Sequence, residues 1–148
     1  MPDIRHRVGI SAPINEVYNA LATREGVASW WTNDVEGDSH PGGTLALSFG
    51  FPEPWVAMKV VDLVSPTLVR WRCVKGPDEW IDTTISYELK DAGDETVVLF
   101  THAGWREPVE FMHHCSTKWG YFLLGLKTEL EGGVSNAYPR DMAISGWG

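Results

Sequence analysis

Pro108–Glu131 reads PVEFMHHCSTKWGYFLLGLKTELE. Its apolar residues Val109, Met112, Trp119, Leu123, Leu126 and Leu130 recur at steps of three and four, with Ser116 in the one polar slot. That spacing predicts a single amphipathic helix. Phe111, Cys115 and Phe122 flank and widen the apolar face, and Glu110, His114, Thr117, Lys118, Glu129 and Glu131 mark the opposite side. Pro108 suits a first helical turn, where its missing N–H costs nothing. Gly132-Gly133 is a stop signal. At 1.5 Å per residue the helix is about 36 Å long, the span of a small domain. A face of that size needs a large partner surface, which only the preceding chain can supply.

The preceding chain reads mostly as strands. Residues 4–11 alternate, with Ile4, His6, Val8 and Ile10 as the inward set. After Ser11-Ala12-Pro13, the i, i+3, i+4, i+7 pattern of Ile14, Val17, Tyr18 and Leu21 predicts a short helix to about Ala22, and a second follows from Arg24 to Trp31. Residues 32–43 are polar and turn-rich. Strands are then expected over Thr44–Phe49, Trp55–Val64, Thr67–Val74, Trp80–Lys90 and Thr96–Ala103, with Pro52-Glu53-Pro54 breaking the chain. Short turns between successive strands imply an antiparallel meander. An α+β fold follows, in which the sheet has one inner face and the long helix covers it.

Composition narrows the class. The 148 residues suffice for one domain with a real core. A net charge of −8 argues against nucleic acid or an anionic membrane as partner. No apolar run approaches a membrane span, and the first residues, Met1-Pro2-Asp3-Ile4-Arg5-His6-Arg7, lack the apolar core of a signal peptide. Cys73 and Cys115 form no CxxC, so two free thiols in a reducing cytoplasm are expected. Residues 1–133 are read as the domain and 134–148 as a C-terminal tail. Tyr138, Met142, Ile144 and Trp147 suit the tail to extended docking, on its own domain or on a second copy, with a homodimer contact favoured.

Three stretches carry a resemblance. Ser11-Ala12-Pro13-Ile14-Asn15-Glu16-Val17-Tyr18-Asn19-Ala20-Leu21 leading to Trp30-Trp31, then Thr96 through Trp105, then Trp119-Gly120-Tyr121-Phe122-Leu123-Leu124-Gly125-Leu126-Lys127 occur in the order and spacing of the START-like, or Bet v 1-like (SRPBCC), helix-grip superfamily. Within it the chain is most similar to small proteins related to the C-terminal domain of the activator of Hsp90 ATPase. The resemblance implies a curved antiparallel sheet of about six to seven strands wrapped around the C-terminal helix. It also implies a hydrophobic small molecule held between sheet and helix. Lys118 stands where the family often carries glycine.

The candidate ligand-binding set is Trp30, Trp31, Phe49, Trp55, Trp71, Trp80, Tyr87, Phe100, His102, Trp105, Cys115, Trp119 and Phe122. These aromatics could line a cavity for a flat apolar ligand, or simply pack a core. His102 is the candidate catalytic residue: alternation turns it inward beside Val98 and Phe100. It is either an acid/base group in an apolar pocket or a core histidine bonded to a carbonyl or a water. Cys115 reads as an apolar filler. His102, His113, His114 and Cys115 lack metal-ligand spacing, so no metal is expected, and no cofactor motif occurs. Three functions remain: a domain binding a hydrophobic small molecule, a cyclase- or dehydratase-type enzyme using His102, and a chaperone-linked or self-associating interaction module.

Overall fold

The computed structural model describes residues 1–50 and 55–148. The expected break at Pro52-Glu53-Pro54 lies outside the described residues. Strand β1 (Ile4–Ile10) leads into α1 (Ile14–Ala22) and α2 (Arg24–Trp30), and then come β2 (Val35–Gly37), β3 (Thr44–Leu47), β4 (Val56–Val64), β5 (Leu68–Lys75), β6 (Thr84–Asp91), β7 (Thr96–Ala103) and α3 (Glu110–Leu130). The seven strands form one antiparallel sheet in the order β1-β7-β6-β5-β4-β3-β2. The first strand thus closes beside the last, and the rest follow as a meander.

Alternation decides the inner face. Val69, Trp71 and Cys73 of β5, Ile85, Tyr87 and Leu89 of β6, and Val98, Phe100 and His102 of β7 are all buried. Register aligns them: Tyr87 pairs with Phe100, Ile85 with His102, and Leu89 with Val98. Helix α3 lies over this face and buries Cys115, Trp119, Phe122, Leu123 and Leu126. Trp119 is the contact point, with ring centroids 4.7 Å from Phe100 and 4.9 Å from Trp31. The two short helices meet at a tight corner. Thr23 caps α2 by accepting from the Gly26 N–H at 2.9 Å. A Cβ at Gly26 would come within 2.4 Å of the Asn19 carbonyl oxygen, so only glycine permits this approach.

Two elements differ from the sequence reading. The polar stretch 32–43 contains β2, which is too short for periodicity and exists because it pairs with β3. The strand expected from Trp80 begins only at Thr84. Asp78–Trp80 instead form a single 3₁₀ turn, and Asp82 takes a positive φ of 66°. Hydrogen bonds from the Asp82 N–H to the Cys73 carbonyl and from the Cys73 N–H to the Thr83 carbonyl close this wider turn and direct Trp80 inward. The tail lies against its own domain, one of the two dockings its apolar residues suggested. Tyr138 donates its N–H to the Trp31 carbonyl at 2.9 Å and accepts from Asn33 N–H at 3.0 Å, while Ser135 and Ala137 are buried.

Candidate functional site

Helix α3 presents Phe111, His114, Cys115, Lys118, Trp119 and Phe122 along one stripe, at i, i+3, i+4, i+7, i+8 and i+11. This stripe is one wall of a cavity of about 480 Å³. Trp31, from the end of α2, and Trp80, from the 3₁₀ turn, form a second wall. Phe49 after β3 and Trp55-Val56 at the start of β4 form the third. The tail supplies the fourth through Tyr138, Pro139, Asp141, Ala143, Trp147 and Gly148. Trp55 and Trp147 are 37% and 57% exposed, so the cavity reaches the surface between them.

Seven of the thirteen expected residues therefore line this cavity: Trp31, Phe49, Trp55, Trp80, Cys115, Trp119 and Phe122. The other six, Trp30, Trp71, Tyr87, Phe100, His102 and Trp105, lie in the solid core behind it. The difference is depth. Trp71 stacks against Trp31 at 5.9 Å and abuts Tyr87, so these deeper rings are covered by the layer that faces the cavity.

His102 belongs to that deeper layer, and its hydrogen bonds fix its state. The Trp119 indole N–H donates to Nδ1 at 3.1 Å. The Thr83 hydroxyl donates to the Trp80 carbonyl at 2.6 Å, so its oxygen is left to accept from His102 Nε2–H at 2.8 Å. The chain of donors runs one way, from Trp119 through His102 and Thr83 to the Trp80 backbone, and permits only the neutral Nε2–H tautomer. Burial pushes the His102 pKa down to about 3, partly offset by the Asp3 carboxylate. With both ring nitrogens engaged, the imidazole has no lone pair for a substrate proton. It holds Trp119 and Trp80, two wall residues, in place.

Burial likewise pushes the thiols up, Cys115 to about 12 and Cys73 to about 11, so neither is a thiolate nucleophile near neutrality. Burial, then the Lys118 charge, lowers His114. Among the described residues, no group of three His, Cys, Asp or Glu could hold a metal ion, and no helix is long and apolar enough to cross a membrane.

Lys118 and His114 depart from the sequence reading, which placed them on the far side of α3. Lys118 shares the stripe of Phe111, Cys115 and Phe122 at helical spacing, and its side chain is only 16% exposed. Its Nζ donates to Asp141 Oδ2 at 2.7 Å, to the Met142 carbonyl at 2.5 Å and to the Gly148 carbonyl at 3.2 Å. It also lies 5.4 Å from the Phe122 ring centroid. The tail residues of the wall had one sequence signal, the aromatic pair Tyr138 and Trp147.

The model of the family described as "Activator of Hsp90 ATPase homolog 1-like protein" matches residues 11–131. The structure is similar to that of a protein from Colwellia psychrerythraea described as an Aha1 dimer, with 40% identity and a TM-score of 0.82, over 90% of this chain and 98% of that one. It is also similar in fold to CalU16 from Micromonospora echinospora, at 22% identity and a TM-score of 0.74 over 90% of this chain and 76% of that one. A third likeness is to SSP2350 from Staphylococcus saprophyticus, at 20% identity and a TM-score of 0.74 over 90% and 95% of the two chains. No curated protein matches the chain.

Proposed function

The chain belongs to the activator of Hsp90 ATPase homologue 1-like family, and from the cavity it encloses we propose that it binds a hydrophobic small molecule between sheet and C-terminal helix. The observation that carries this reading is the wall itself. Trp31, Phe49, Trp80, Trp119 and Phe122 converge on a space of about 480 Å³, within the usual size of small-molecule sites. Aromatic faces at those positions suit a flat apolar ligand. A reducing compartment such as the cytoplasm fits two buried free thiols.

The enzymatic alternative has less support. A general base needs an accessible lone pair within reach of substrate, and His102 offers neither access nor a free nitrogen. Self-association is the second reading, favoured by the 40% identical relative described as a dimer. Sedimentation of the purified chain reads it directly.

The ligand reading is tested with phenylnaphthylamine, an uncharged dye that brightens in apolar surroundings. The dye is expected to bind stoichiometrically and to be excluded by Ala143→Trp, which adds bulk at an exposed cavity-lining position without touching the core. Binding that survives Ala143→Trp unchanged overturns this cavity as the site.

A further inference from the structure

We propose that Lys118 makes the cavity selective for flat apolar ligands that carry an anionic group, and that Asp141 in the tail is the built-in competitor for that lysine. This deepens the ligand-binding reading and rests on it.

Among the described residues that line the cavity, Lys118 is the one lysine or arginine. All three N–H groups of its ammonium are taken by oxygens of the strap formed by residues 141–148: one carboxylate and two backbone carbonyls. The strap's other contacts to the domain are made at its exposed surface. Upstream, Ser135, Ala137 and Tyr138 are fixed to α2 and the segment after it. Beyond Pro139, Met142 N–H donates to the Tyr121 hydroxyl at 3.1 Å, Ser145 Oγ lies 3.4 Å from His114 Nδ1, and Trp147 packs against His114 at 5.7 Å and Phe111 at 6.3 Å. Met142 is 63% exposed, and Ala143 and residues 145–148 are exposed as well.

The lysine decides what can release it. An uncharged ligand that pushed the strap aside would leave an ammonium unpaired against aromatic rings, which is strongly unfavourable. Uncharged ligands must therefore bind beneath a closed strap. An anionic ligand can take over the oxygen positions of Asp141 and the two carbonyls, while Asp141 turns to solvent. The arrangement thus favours an acid attached to an apolar ring system, against the chain's overall charge of −8.

Two probes of one skeleton separate these cases: phenylnaphthylamine, and its sulfonated counterpart anilinonaphthalene sulfonate. The readout is the ratio of their affinities in wild type, Lys118→Met and Asp141→Asn, each first checked for native melting. The ratio of sulfonate to neutral dye is expected to fall about tenfold or more in Lys118→Met, the scale of one desolvated charge pair, and to rise severalfold in Asp141→Asn. The sulfonate, at saturation, should also speed amide exchange across residues 141–148, and the neutral dye should not. Equal ratios in all three proteins, or a strap unmoved by the sulfonate, overturn the selectivity and leave the cavity reading standing. Failure of both dyes to bind any of the three overturns the cavity reading, and this proposal with it.

Discussion

Replacing His102 by glutamine should change how stability depends on pH more than it changes stability at neutrality. In the folded chain His102 is neutral, with Nδ1 occupied by the Trp119 N–H and Nε2–H bonded to Thr83. Burial holds its pKa at about 3, against an ordinary imidazole value of 6.5. Above pH 6.5 neither folded nor unfolded chain carries this proton, and the group's contribution is complete. Between pH 6.5 and 3 the unfolded chain takes up a proton that the folded chain refuses, so stability is lost as pH falls. The loss is about 1.4 kcal/mol per pH unit. At pH 4.5 it amounts to about 2.7 kcal/mol, a large part of the stability of a domain this size.

His102→Gln removes the titrating group while its amide still offers one acceptor and one donor. At pH 7.5 the variant is expected to be less stable by about 1–2 kcal/mol, through imperfect geometry at two buried hydrogen bonds. Urea unfolding followed by tryptophan fluorescence, repeated every half unit from pH 7.5 to 4.5, measures both curves. Other titrating groups are common to the two proteins and cancel in the difference. The difference should be flat above pH 6.5 and should close or reverse by pH 4.5. Parallel curves would show that His102 is protonated in the folded chain, and the one-way donor chain would be wrong.

Trp119→Ala should cost about 3–5 kcal/mol in urea unfolding, because the indole fills the contact between α3 and the sheet; wild-type stability would refute its central place. Tyr87→Phe should be neutral or stabilising by up to about 1 kcal/mol, since the buried Tyr87 hydroxyl makes no hydrogen bond among the described residues and its removal discards only a desolvated polar group. A loss above that size would reveal a hidden partner. Truncation after Gly133 should lower stability by roughly 2–4 kcal/mol, from the lost burial of Ala137 and Tyr138 and the hydrogen bonds to Trp31, Asn33 and Ser29. An unchanged melting temperature would show that the tail is not part of the domain.

The legible part of this chain is the part written in local periodicity. Steps of two residues in Val98, Phe100 and His102, and steps of three and four from Met112 to Leu130, state which side of an element is buried, and the sheet and α3 are built on those sides. Periodicity does not state what lies opposite. Trp71 and Trp31 look alike in sequence, yet one is covered by the other and only Trp31 meets the cavity. Alternation turned His102 inward but left open whether it was an acid/base group or a satisfied core histidine; Trp119, seventeen positions away, and Thr83, nineteen away, engage both of its nitrogens. Lys118 read as solvated because lysines usually are, and nothing local announces that Asp141, Met142 and Gly148 will surround its ammonium. In each case the deciding partner comes from a different element, and the cavity is the extreme instance. Its walls come from the end of α2, Phe49 after β3, the start of β4, a 3₁₀ turn, α3 and the tail, positions spread from Trp31 to Gly148. The core of this fold is therefore encoded many times over in short repeats. The cavity is encoded once, in long-range contacts, and a few substitutions in the strap and in α3 would reshape it while leaving the fold intact.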